Sequence, residues 1–324
     1  MKVAILGTGA YGIALASVLH KNKNEIIMWS KFEKEIKTLK ETRISPKLSN
    51  YHIPEGISFT SNMKKAIESS ELIVIAVPAA FVDDVAKELT SAIKDNQHLC
   101  IASKGIENNT CLFVHDVINK YIDSKNVAVI SGPSFAVDIV KEVPIGLSLG
   151  TKNQVTAHII KQAFENNYFK LRITEDIIGI EICGSIKNVI AIASGMLEGM
   201  NLPESTKAMF ITESLHDIKE LIFKLGGDKK TILSFAGFGD LLLTCTSSKS
   251  RNFSFGYLIG SKKSKEEIEQ YKNETTIEGL YTLQSIYQLT KNRNVEMPII
   301  DLIYDIVENK QSPNTLTHFL IKKN

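Results

Sequence analysis

The sequence contains little cysteine and carries almost no net charge. Its four cysteines lie far apart along 324 residues, and no Cys-x-x-Cys pair or histidine cluster has the spacing of a zinc site. We therefore expect free thiols in a reducing cytoplasm and no metal site. Lysine and arginine number 38 against 36 acidic residues, a formal charge of +2. Because nucleic-acid binding needs a strongly basic surface, we expect no nucleic-acid partner.

A targeting segment and a long apolar run are also missing from the sequence as read. Residues 1–6 lead directly into glycines, without the charged and long apolar regions of a signal peptide. Apolar runs such as residues 72–77 are far shorter than the roughly 20 residues that span a membrane. These features predict a cytoplasmic protein without a transmembrane segment.

Short apolar runs alternate with helix-like segments in the first half of the chain. Continuous apolar runs of this length are typical of strands that are covered on both faces. Alternation of such strands with helices favours a doubly wound, mostly parallel sheet. The predicted strands are residues 3–6, 25–29, 72–77, 98–102 and 127–130, with 145–149 and 169–173 as candidates to extend the sheet. The predicted helices are residues 10–21, 31–40 and 81–93.

The pattern changes after about residue 175. Residues 176–200 and 203–225 form two long helical segments; Pro203 begins the second, and two glycines end it. Shorter helices follow, without a convincing strand. We therefore predict an α/β domain over residues 1–175 and an all-α domain over residues 176–324.

A glycine-rich loop follows the first predicted strand and opens the first helix. In Gly7-Thr8-Gly9-Ala10-Tyr11-Gly12, Gly7 permits a tight turn, Gly9 a close approach of pyrophosphate, and Gly12 close packing of the helix on the strand. The N–H groups at the helix start would face the phosphates. This context favours a dinucleotide-binding Rossmann domain over a purely structural glycine turn.

The choice between the two nicotinamide cofactors depends on the end of the second strand. An NAD-specific site normally has an acidic residue there, bound to the ribose hydroxyls. In this chain the strand ends in Met28-Trp29-Ser30-Lys31, without an acid. Ser30 and Lys31 could accommodate a 2′-phosphate, so NADP(H) is favoured and NAD(H) is kept as the alternative. Lys31 could also be only an exposed lysine at a helix start.

A lysine in the apolar segment after residue 176 is the first candidate catalytic residue. The helical neighbours of Lys187 three and four residues away are Cys183, Gly184, Ile190 and Ala191, none of which is charged. Burial would lower the pKa of its amine, which could then give a proton to an alkoxide and take it back near neutral pH. The alternative is a lysine whose alkyl chain reaches the surface.

Polar residues further along the chain could complete this site. Asp240 and Thr244 lie four residues apart, on one face of a helix, and could hold the Lys187 amine. Asp240 could equally be only a helix N-cap. Ser250-Arg251-Asn252 at a probable helix start offers a guanidinium group and free N–H groups to an anion, or else forms a surface cap with an exposed arginine.

Together these segments resemble the bacterial NAD(P)-dependent glycerol-3-phosphate dehydrogenase family. They occur in the family's order and span the chain from Gly7 to Gly279. Ala10, Ser185 and Phe238 depart from it, at positions where Ser, Ala and Leu are common. The matching segments are residues 7–12, Ser103-Lys104-Gly105, residues 131–136, 184–191, Gly239-Asp240, residues 244–246, 250–252 and Glu278-Gly279.

The resemblance implies a Rossmann domain followed by a helical domain like that of 6-phosphogluconate dehydrogenase. The implied reaction is reversible reduction of dihydroxyacetone phosphate to sn-glycerol 3-phosphate, a precursor of phospholipids. It also makes a homodimer plausible. The implied catalytic residues are Lys187 as proton donor and acceptor, with Lys104, Asn188, Asp240 and Thr244. The implied substrate-binding residues are Lys104, Gly132, Ser134, Lys187, Asp240, Ser250, Arg251 and Asn252. The implied cofactor-binding residues are Gly7, Gly9, Ala10, Tyr11, Gly12, Lys31, Lys104, Ala136, Arg251 and Glu278.

Two other functions fit parts of the same pattern. One is a dehydrogenase of the same two-domain type that acts on a 3-hydroxy acid or a branched 2-oxo acid. Its substrate anion would be a carboxylate, and the combination of Gly239-Asp240 with residues 250–252 argues against it. The other is a regulator that binds NAD(P) without turnover, which would not need a lysine in an apolar helix.

Overall fold

The computed structural model describes residues 1–108, 110–123 and 125–322, which form two compact units. The first comprises Met1–Lys104 and Val114–Ile177; the second comprises Gly105–Phe113 and the chain from Ile178 onward. The change of unit after Ile177 lies two residues beyond the predicted boundary at residue 175.

The segment Gly105–Phe113 differs from the prediction, which assigned it to the first domain. Ile106 and Phe113 are buried and pair in an isolated β-bridge, and the Ser285 hydroxyl donates to Asn108 Oδ1 at 2.9 Å. The bridge closes the segment on itself, and the bond from Ser285 joins it to the helical unit. Because Ser285 is distant in the chain, the local pattern around Lys104 did not reveal this contact.

The first unit contains an eight-stranded sheet in the order β10-β9-β8-β7-β6-β1-β2-β5. Among the described strands of this sheet, every neighbouring pair is parallel except β8 with β9. This confirms the predicted mostly parallel sheet, including its two candidate strands, whereas β5 was not predicted. The strands are β1 (Lys2–Leu6), β2 (Glu25–Trp29), β3 (Ile44–Ser45), β4 (Tyr51–His52), β5 (Ile57–Thr60), β6 (Leu72–Ile75), β7 (His98–Ile101), β8 (Val127–Ser131), β9 (Ile145–Gly150) and β10 (Phe169–Thr174).

Helices cover this sheet, and its central strands are the most apolar part of the unit. All the residues of β6 and the last four residues of β1 are fully buried, as expected for strands that are covered on both faces. The short strands β3 and β4 form a separate antiparallel pair. The helices are α1 (Ala10–Lys21), α2 (Glu33–Thr42), α3 (Met63–Ile67), α4 (Val82–Thr90), α5 (Val114–Asn119), α6 (Ala136–Ile139) and α7 (Gln154–Phe164).

The second unit is mostly helical, as predicted. Its long first helix, α8, contains the candidate Lys187, and nearly all of its residues are buried. Its helices are α8 (Ile177–Gly199), α9 (Glu204–Lys224), α10 (Asp240–Cys245), α11 (Arg251–Gly260), α12 (Lys265–Glu274), α13 (Glu278–Asn292), α14 (Pro298–Val307) and α15 (Thr315–Lys322).

Glycines bring α8 and α11 into backbone contact. A Cβ atom at Gly195 would overlap the carbonyl oxygen of Phe253, and one at Gly256 would overlap that of Ile192. Any side chain at these positions would therefore separate the two helices. Their close approach holds the helix that contains Lys187 next to the helix that begins at Arg251.

Helix α8 is the one described helix whose length and composition resemble those of a membrane span. An 18-residue window of this helix has a mean hydropathy of 1.6, so by length and composition it could cross a membrane. The sequence predicts this apolar helix over residues 176–200, close to its observed bounds. However, 83% of that window is buried inside the protein, as expected for a core helix.

Candidate active site

The glycine loop between β1 and α1 has the shape that dinucleotide binding requires. Gly7 has a φ of +125°, and a Cβ atom there would lie 2.6 Å from the carbonyl oxygen of Ala76. A Cβ at Gly12 would lie 2.5 Å from the carbonyl oxygen of Gly7. By contrast, a Cβ at Gly9 would meet no atom within 4 Å among the described residues. The loop is therefore packed on two sides and open at Gly9.

Backbone donors at the start of α1 lie on this open side. Gly9 is the N-cap and has no side chain to bond the first-turn N–H groups of the helix. These donors and the positive end of the helix dipole favour an anion. The residues present therefore fit the pyrophosphate of a dinucleotide, since a side chain at Gly9 would fill the space it needs.

Four of the predicted site residues in the first unit form one cluster. The hydroxyls of Tyr11 and Ser134 lie 3.2 Å apart, and Ser134 Oγ donates to the carbonyl oxygen of Gly132 at 3.0 Å. Lys104 Nζ donates to the same carbonyl at 3.2 Å and lies 5.8 Å from the centroid of the Tyr11 ring. Ala136 begins α6 nearby in the chain and is partly buried.

The residues predicted to choose the cofactor have different surroundings. Lys31 is exposed, and its Nζ lies 4.9 Å from the centroid of the Phe81 ring. Ser30 is buried, and its hydroxyl donates to Glu35 Oε2 at 2.9 Å. Lys47 Nζ donates to Glu35 Oε1 at 2.5 Å. The sequence reading missed this carboxylate because it comes from the first turn of α2, whereas an acid was sought at the end of β2.

Glu35 remains a charged group in this partly buried position. Burial by itself would raise its pKa, but hydrogen bonds from Lys47, Ser30 and Thr8 lower it, and the pKa lies below its ordinary value. The carboxylate is therefore ionised at neutral pH. Thr8 belongs to the glycine loop, so Glu35 lies where that loop meets the end of β2.

In the second unit, Lys187 pairs with Asp240. Lys187 Nζ donates to Asp240 Oδ1 at 2.5 Å, and the two side chains are 12% and 1% exposed. Lys187 is thus largely buried, unlike a lysine that extends into solvent. Because the carboxylate comes from 53 residues further along the chain, the helical neighbours of Lys187 gave no sign of it.

A wide helical turn before α10 positions Asp240. Residues Phe235–Gly239 form a π-type turn that is kinked at Gly237, whose φ of −82° and ψ of −105° are not helical, and Ser234 Oγ accepts from the N–H of Gly237. Asp240 is the first residue of α10 rather than its N-cap, which is Gly239. Thr244 Oγ1 donates to the Asp240 carbonyl oxygen at 2.6 Å and lies 3.5 Å from its Oδ1. Thr244 therefore helps to hold Asp240 in place.

A chain of hydrogen bonds fixes the orientation of two buried amides. The backbone N–H of Gly279 donates to Asn252 Oδ1 at 2.8 Å, and Asn252 Nδ2 donates to Asn188 Oδ1 at 3.0 Å. Because a backbone N–H can only donate, it determines which end of Asn252 is the acceptor, and Asn252 then determines Asn188. Within the described part of the chain, Asn188 Nδ2 is left without an acceptor.

Gly279 contributes to this chain of bonds in a second way. A Cβ atom there would lie 2.7 Å from both the Asn188 carbonyl oxygen and Asn252 Oδ1. Only glycine therefore brings its N–H close enough to hold the two amides.

The start of α11 offers charge and backbone donors. Ser250 is its N-cap and accepts from the N–H of Phe253 at 3.3 Å, so the capping alternative holds for this residue. The Arg251 side chain is 54% exposed, and its Nη2 lies 3.5 Å from Glu278 Oε1. Tyr271 donates its hydroxyl to the Arg251 carbonyl oxygen at 3.2 Å. Arg251 can therefore turn toward a ligand while its backbone stays held.

The cysteines and acidic side chains show no other reactive centre. The four cysteines are free and buried, and burial raises the pKa of the Cys100 and Cys245 thiols. Among the described residues, no group of three or more His, Cys, Asp or Glu side chains could hold a metal ion.

The first unit is of the Rossmann type and has an open phosphate loop, and the second is helical and contains a buried lysine–carboxylate pair. These features define a two-domain nucleotide-dependent dehydrogenase. Comparison with known proteins narrows the class. Residues 2–157 match the family model of the NAD-dependent glycerol-3-phosphate dehydrogenase N-terminus, and residues 176–318 match that of its C-terminus.

Individual relatives agree along the whole chain. It is 36% identical to a glycerol-3-phosphate dehydrogenase (NAD(P)+) of Fusobacterium nucleatum, over 99% of this chain and 97% of the relative. It is 35% identical to one of a Thermoanaerobacter species, with 100% and 97% covered. The crystal structure of a glycerol-3-phosphate dehydrogenase from Coxiella burnetii superposes with a TM-score of 0.92 at 30% identity, covering 99% of both chains.

The chain belongs to the NAD-dependent glycerol-3-phosphate dehydrogenase family. The resemblance seen in the sequence is confirmed, as is a Rossmann-type domain followed by a mostly helical one. Membership decides against both alternatives, the carboxylate-specific dehydrogenase and the regulator without turnover.

Proposed function

We propose that this chain catalyses the reversible reduction of dihydroxyacetone phosphate to sn-glycerol 3-phosphate with a nicotinamide cofactor. The observation that carries the proposal is the buried Lys187–Asp240 pair in a member of this family. A positioned ammonium group is what a ketone needs when its oxygen must gain a proton.

The proton step falls to Lys187. When bound, the reduced nicotinamide supplies the hydride that the carbonyl carbon at C2 accepts. Lys187 Nζ donates a proton to the C2 oxygen, and Asp240 keeps the amine oriented and favours its charged form. General acid catalysis of this kind contributes about 10²–10⁴ in rate. In the reverse direction the neutral amine removes the same proton.

Asn188 is proposed to assist at a substrate oxygen. The bonds from Gly279 and Asn252 leave the Nδ2 donor of Asn188, rather than its acceptor, for a ligand. A fixed neutral donor stabilises negative charge on oxygen without moving during the reaction. This role needs no direct contact between Asn188 and the Lys187 amine.

The substrate phosphate is proposed to bind at the start of α11. Arg251, the second Nδ2 hydrogen of Asn252 and the first-turn N–H groups after Ser250 would bind its oxygens. Charge-assisted hydrogen bonds contribute about 1.5–3 kcal/mol each. Binding the phosphate would orient C2 and disfavour unphosphorylated ketones.

The residues of the first unit are proposed to bind cofactor and substrate. The loop from Gly7 to Gly12 would hold the pyrophosphate, with Tyr11 and Ala136 in further contact with the cofactor. Lys104, Gly132 and Ser134 would contact the substrate, Lys104 also the cofactor. Arg251 and Glu278 of the second unit are further cofactor contacts by family analogy.

NADP(H) is the proposed preferred cofactor, with NAD(H) also used. The exposed amine of Lys31 is free to turn toward a 2′-phosphate, since a cation–π contact at an exposed site contributes only about 0.5–1 kcal/mol. A cytoplasmic location and a homodimer stay predictions from the sequence.

The direct test is the initial rate of NADPH and of NADH oxidation with dihydroxyacetone phosphate. We expect oxidation that requires this substrate and is much slower with unphosphorylated dihydroxyacetone. Cofactor binding without oxidation in the presence of the phosphorylated ketone would overturn the proposed reaction.

A further inference from the structure

The carboxylate of Glu35 lies where a Rossmann domain receives the adenosine ribose. Its Oε2 accepts from the hydroxyl of Ser30, directly after β2. Its pKa is lowered by hydrogen bonds from Lys47 and Ser30 and, to a smaller extent, from Thr8 of the glycine loop. In this fold the ribose hydroxyls lie between the loop after the first strand and the end of the second strand. A carboxylate from α2 thus lies next to the end of β2, which itself has no acid.

Lys47 occupies the other oxygen of the same carboxylate. Its Nζ bonds Glu35 Oε1, and the side chains of Lys47 and Glu35 are 55% and 20% exposed. The lysine is therefore free to move toward a second anion, whereas the carboxylate is held by Ser30. Lys31, next to Ser30, adds another exposed amine.

We propose that Glu35 and Lys47 together determine cofactor choice in this chain. Glu35 accepts hydrogen bonds from the ribose hydroxyls of NAD(H). Lys47 offsets the negative charge of Glu35 when the ribose carries a 2′-phosphate. This inference rests on the proposed function. A lone carboxylate at the ribose favours hydroxyls and repels a phosphate. A lysine bound to that carboxylate can bridge it to the phosphate, so the pair accepts both cofactors.

The two charges should therefore have opposite effects when they are removed. E35Q keeps the size of the side chain but removes the repulsion of the phosphate and the charged acceptor for the hydroxyls. K47M keeps the length of the side chain and leaves Glu35 to act on the ribose alone. We expect E35Q to bind a 2′-phosphorylated ribose more tightly, and K47M to bind a ribose with free hydroxyls more tightly.

The experiment is isothermal titration of the full chain with ADP-ribose and with 2′-phospho-ADP-ribose. These ligands lack nicotinamide, so binding is measured without turnover. We expect the ratio of the two dissociation constants to shift about tenfold in each direction, as for one hydrogen bond to a charged group. The controls E33Q and K37M also remove one negative and one positive charge, but at exposed positions of α2. They should keep the ratio of dissociation constants of the unaltered protein.

The conservative variant E35D keeps the charge and should keep a ratio closer to the unaltered protein than E35Q does. An E35Q ratio equal to that of E33Q, or shifts of both variants in the same direction, would overturn the proposal. Failure of the proposed function would look different. It would appear as no oxidation of either cofactor with dihydroxyacetone phosphate, while the two binding constants remain measurable.

Discussion

The candidate site of the first unit consists of backbone groups, whereas that of the second unit consists mainly of side chains. In the first unit the phosphate loop is backbone: Gly7, Gly9 and Gly12 lie within six consecutive residues and act through missing side chains. In the second unit the candidate site is made of side chains from α8, α10 and α11, with one N–H from α13. A backbone site depends on local spacing, whereas a side-chain site depends on helices that pack correctly.

This contrast predicts that the two sites fail separately, and K187M is the variant with the largest expected effect. We expect the turnover number to fall by about 10²–10⁴, because the general acid is lost. The dissociation constants of NADPH and NADH should stay unchanged, because the glycine loop belongs to the other unit. Steady-state rates and cofactor fluorescence titration measure the two quantities.

A matched double variant separates chemistry from stability. K187M removes a partner from Asp240, which is 1% exposed, and breaking such a buried pair costs about 3–5 kcal/mol. K187M/D240N removes the charge as well, so the free energy of unfolding should recover while turnover does not. Recovery of turnover in the double variant would remove Lys187 from the proton step.

The next largest effect should come from N188D, which replaces the amide donor of Asn188 by a carboxylate oxygen and adds a buried negative charge. A carboxylate at residue 188 can still accept from Asn252 Nδ2, so the packing of α8 with α11 should survive. Its other oxygen replaces the donor proposed to face the substrate. We expect kcat/KM to fall about 10²-fold, similar to loss of one donor to a developing oxyanion.

The control for N188D is the fraction of folded protein under assay conditions, read from denaturant unfolding, because a buried carboxylate at residue 188 should lower the stability. A loss of kcat/KM that matches the loss of folded protein would mean that Asn188 is only structural. Near-normal kcat/KM in folded N188D would mean that the Asn188 donor does not touch the substrate.

The backbone site could be predicted further from the sequence than the side-chain site. The bounds of α1 and β2 and the three glycine roles were readable, because strand, turn and helix signals lie within one short segment. The Lys187–Asp240 pair was proposed from polar residues and family motifs, but the π-helical turn that aims Asp240 left no sequence signal. Glu35 was missed because its carboxylate returns from α2 to the end of β2.

Local sequence patterns did not predict strand β5 or the place of the segment Gly105–Phe113. Strand β5 is an edge strand in which apolar and polar residues alternate, whereas β6, which is equally short, is a continuous apolar run. The segment Gly105–Phe113 contains no boundary signal, and contacts with distant residues such as Ser285 place it in the second unit. Tertiary contacts decided both.

A smaller effect is expected from G9A and G12A, which probe the backbone site. A Cβ at Gly9 meets no described atom within 4 Å, so G9A should keep the stability of the protein. It would, however, fill space needed by the pyrophosphate, and we expect cofactor affinity to fall about tenfold, from loss of one or two backbone hydrogen bonds. Substrate affinity at saturating cofactor should change little.

G12A is the matched comparison because its Cβ would lie 2.5 Å from the Gly7 carbonyl oxygen. We expect it to lower both the unfolding midpoint and the cofactor affinity. Equal cofactor affinity in G9A and the unaltered protein would show that the open side of the loop does not hold the cofactor. Calorimetric titration and thermal unfolding distinguish these outcomes.

The smallest effect concerns two serines in the side-chain unit, both fully buried in α8. Ser185 Oγ has no hydrogen-bond partner among the described residues, whereas Ser194 Oγ donates to the Cys245 carbonyl oxygen at 2.7 Å. An unsatisfied buried hydroxyl is unfavourable, so S185A should stabilise the protein by a few tenths to about 1 kcal/mol. S194A removes a bond and leaves a carbonyl unsatisfied, so it should destabilise by about 1–3 kcal/mol.

Urea unfolding of both variants measures the difference, with kcat as the control for S185A. Destabilisation by S185A comparable to that by S194A would mean that the Ser185 hydroxyl is satisfied by water. A stabilising S185A would show that the unsatisfied Ser185 hydroxyl weakens the core helix. Since Ser185 lies two residues before Lys187, an unchanged kcat would also show that α8 holds the lysine without help from this hydroxyl.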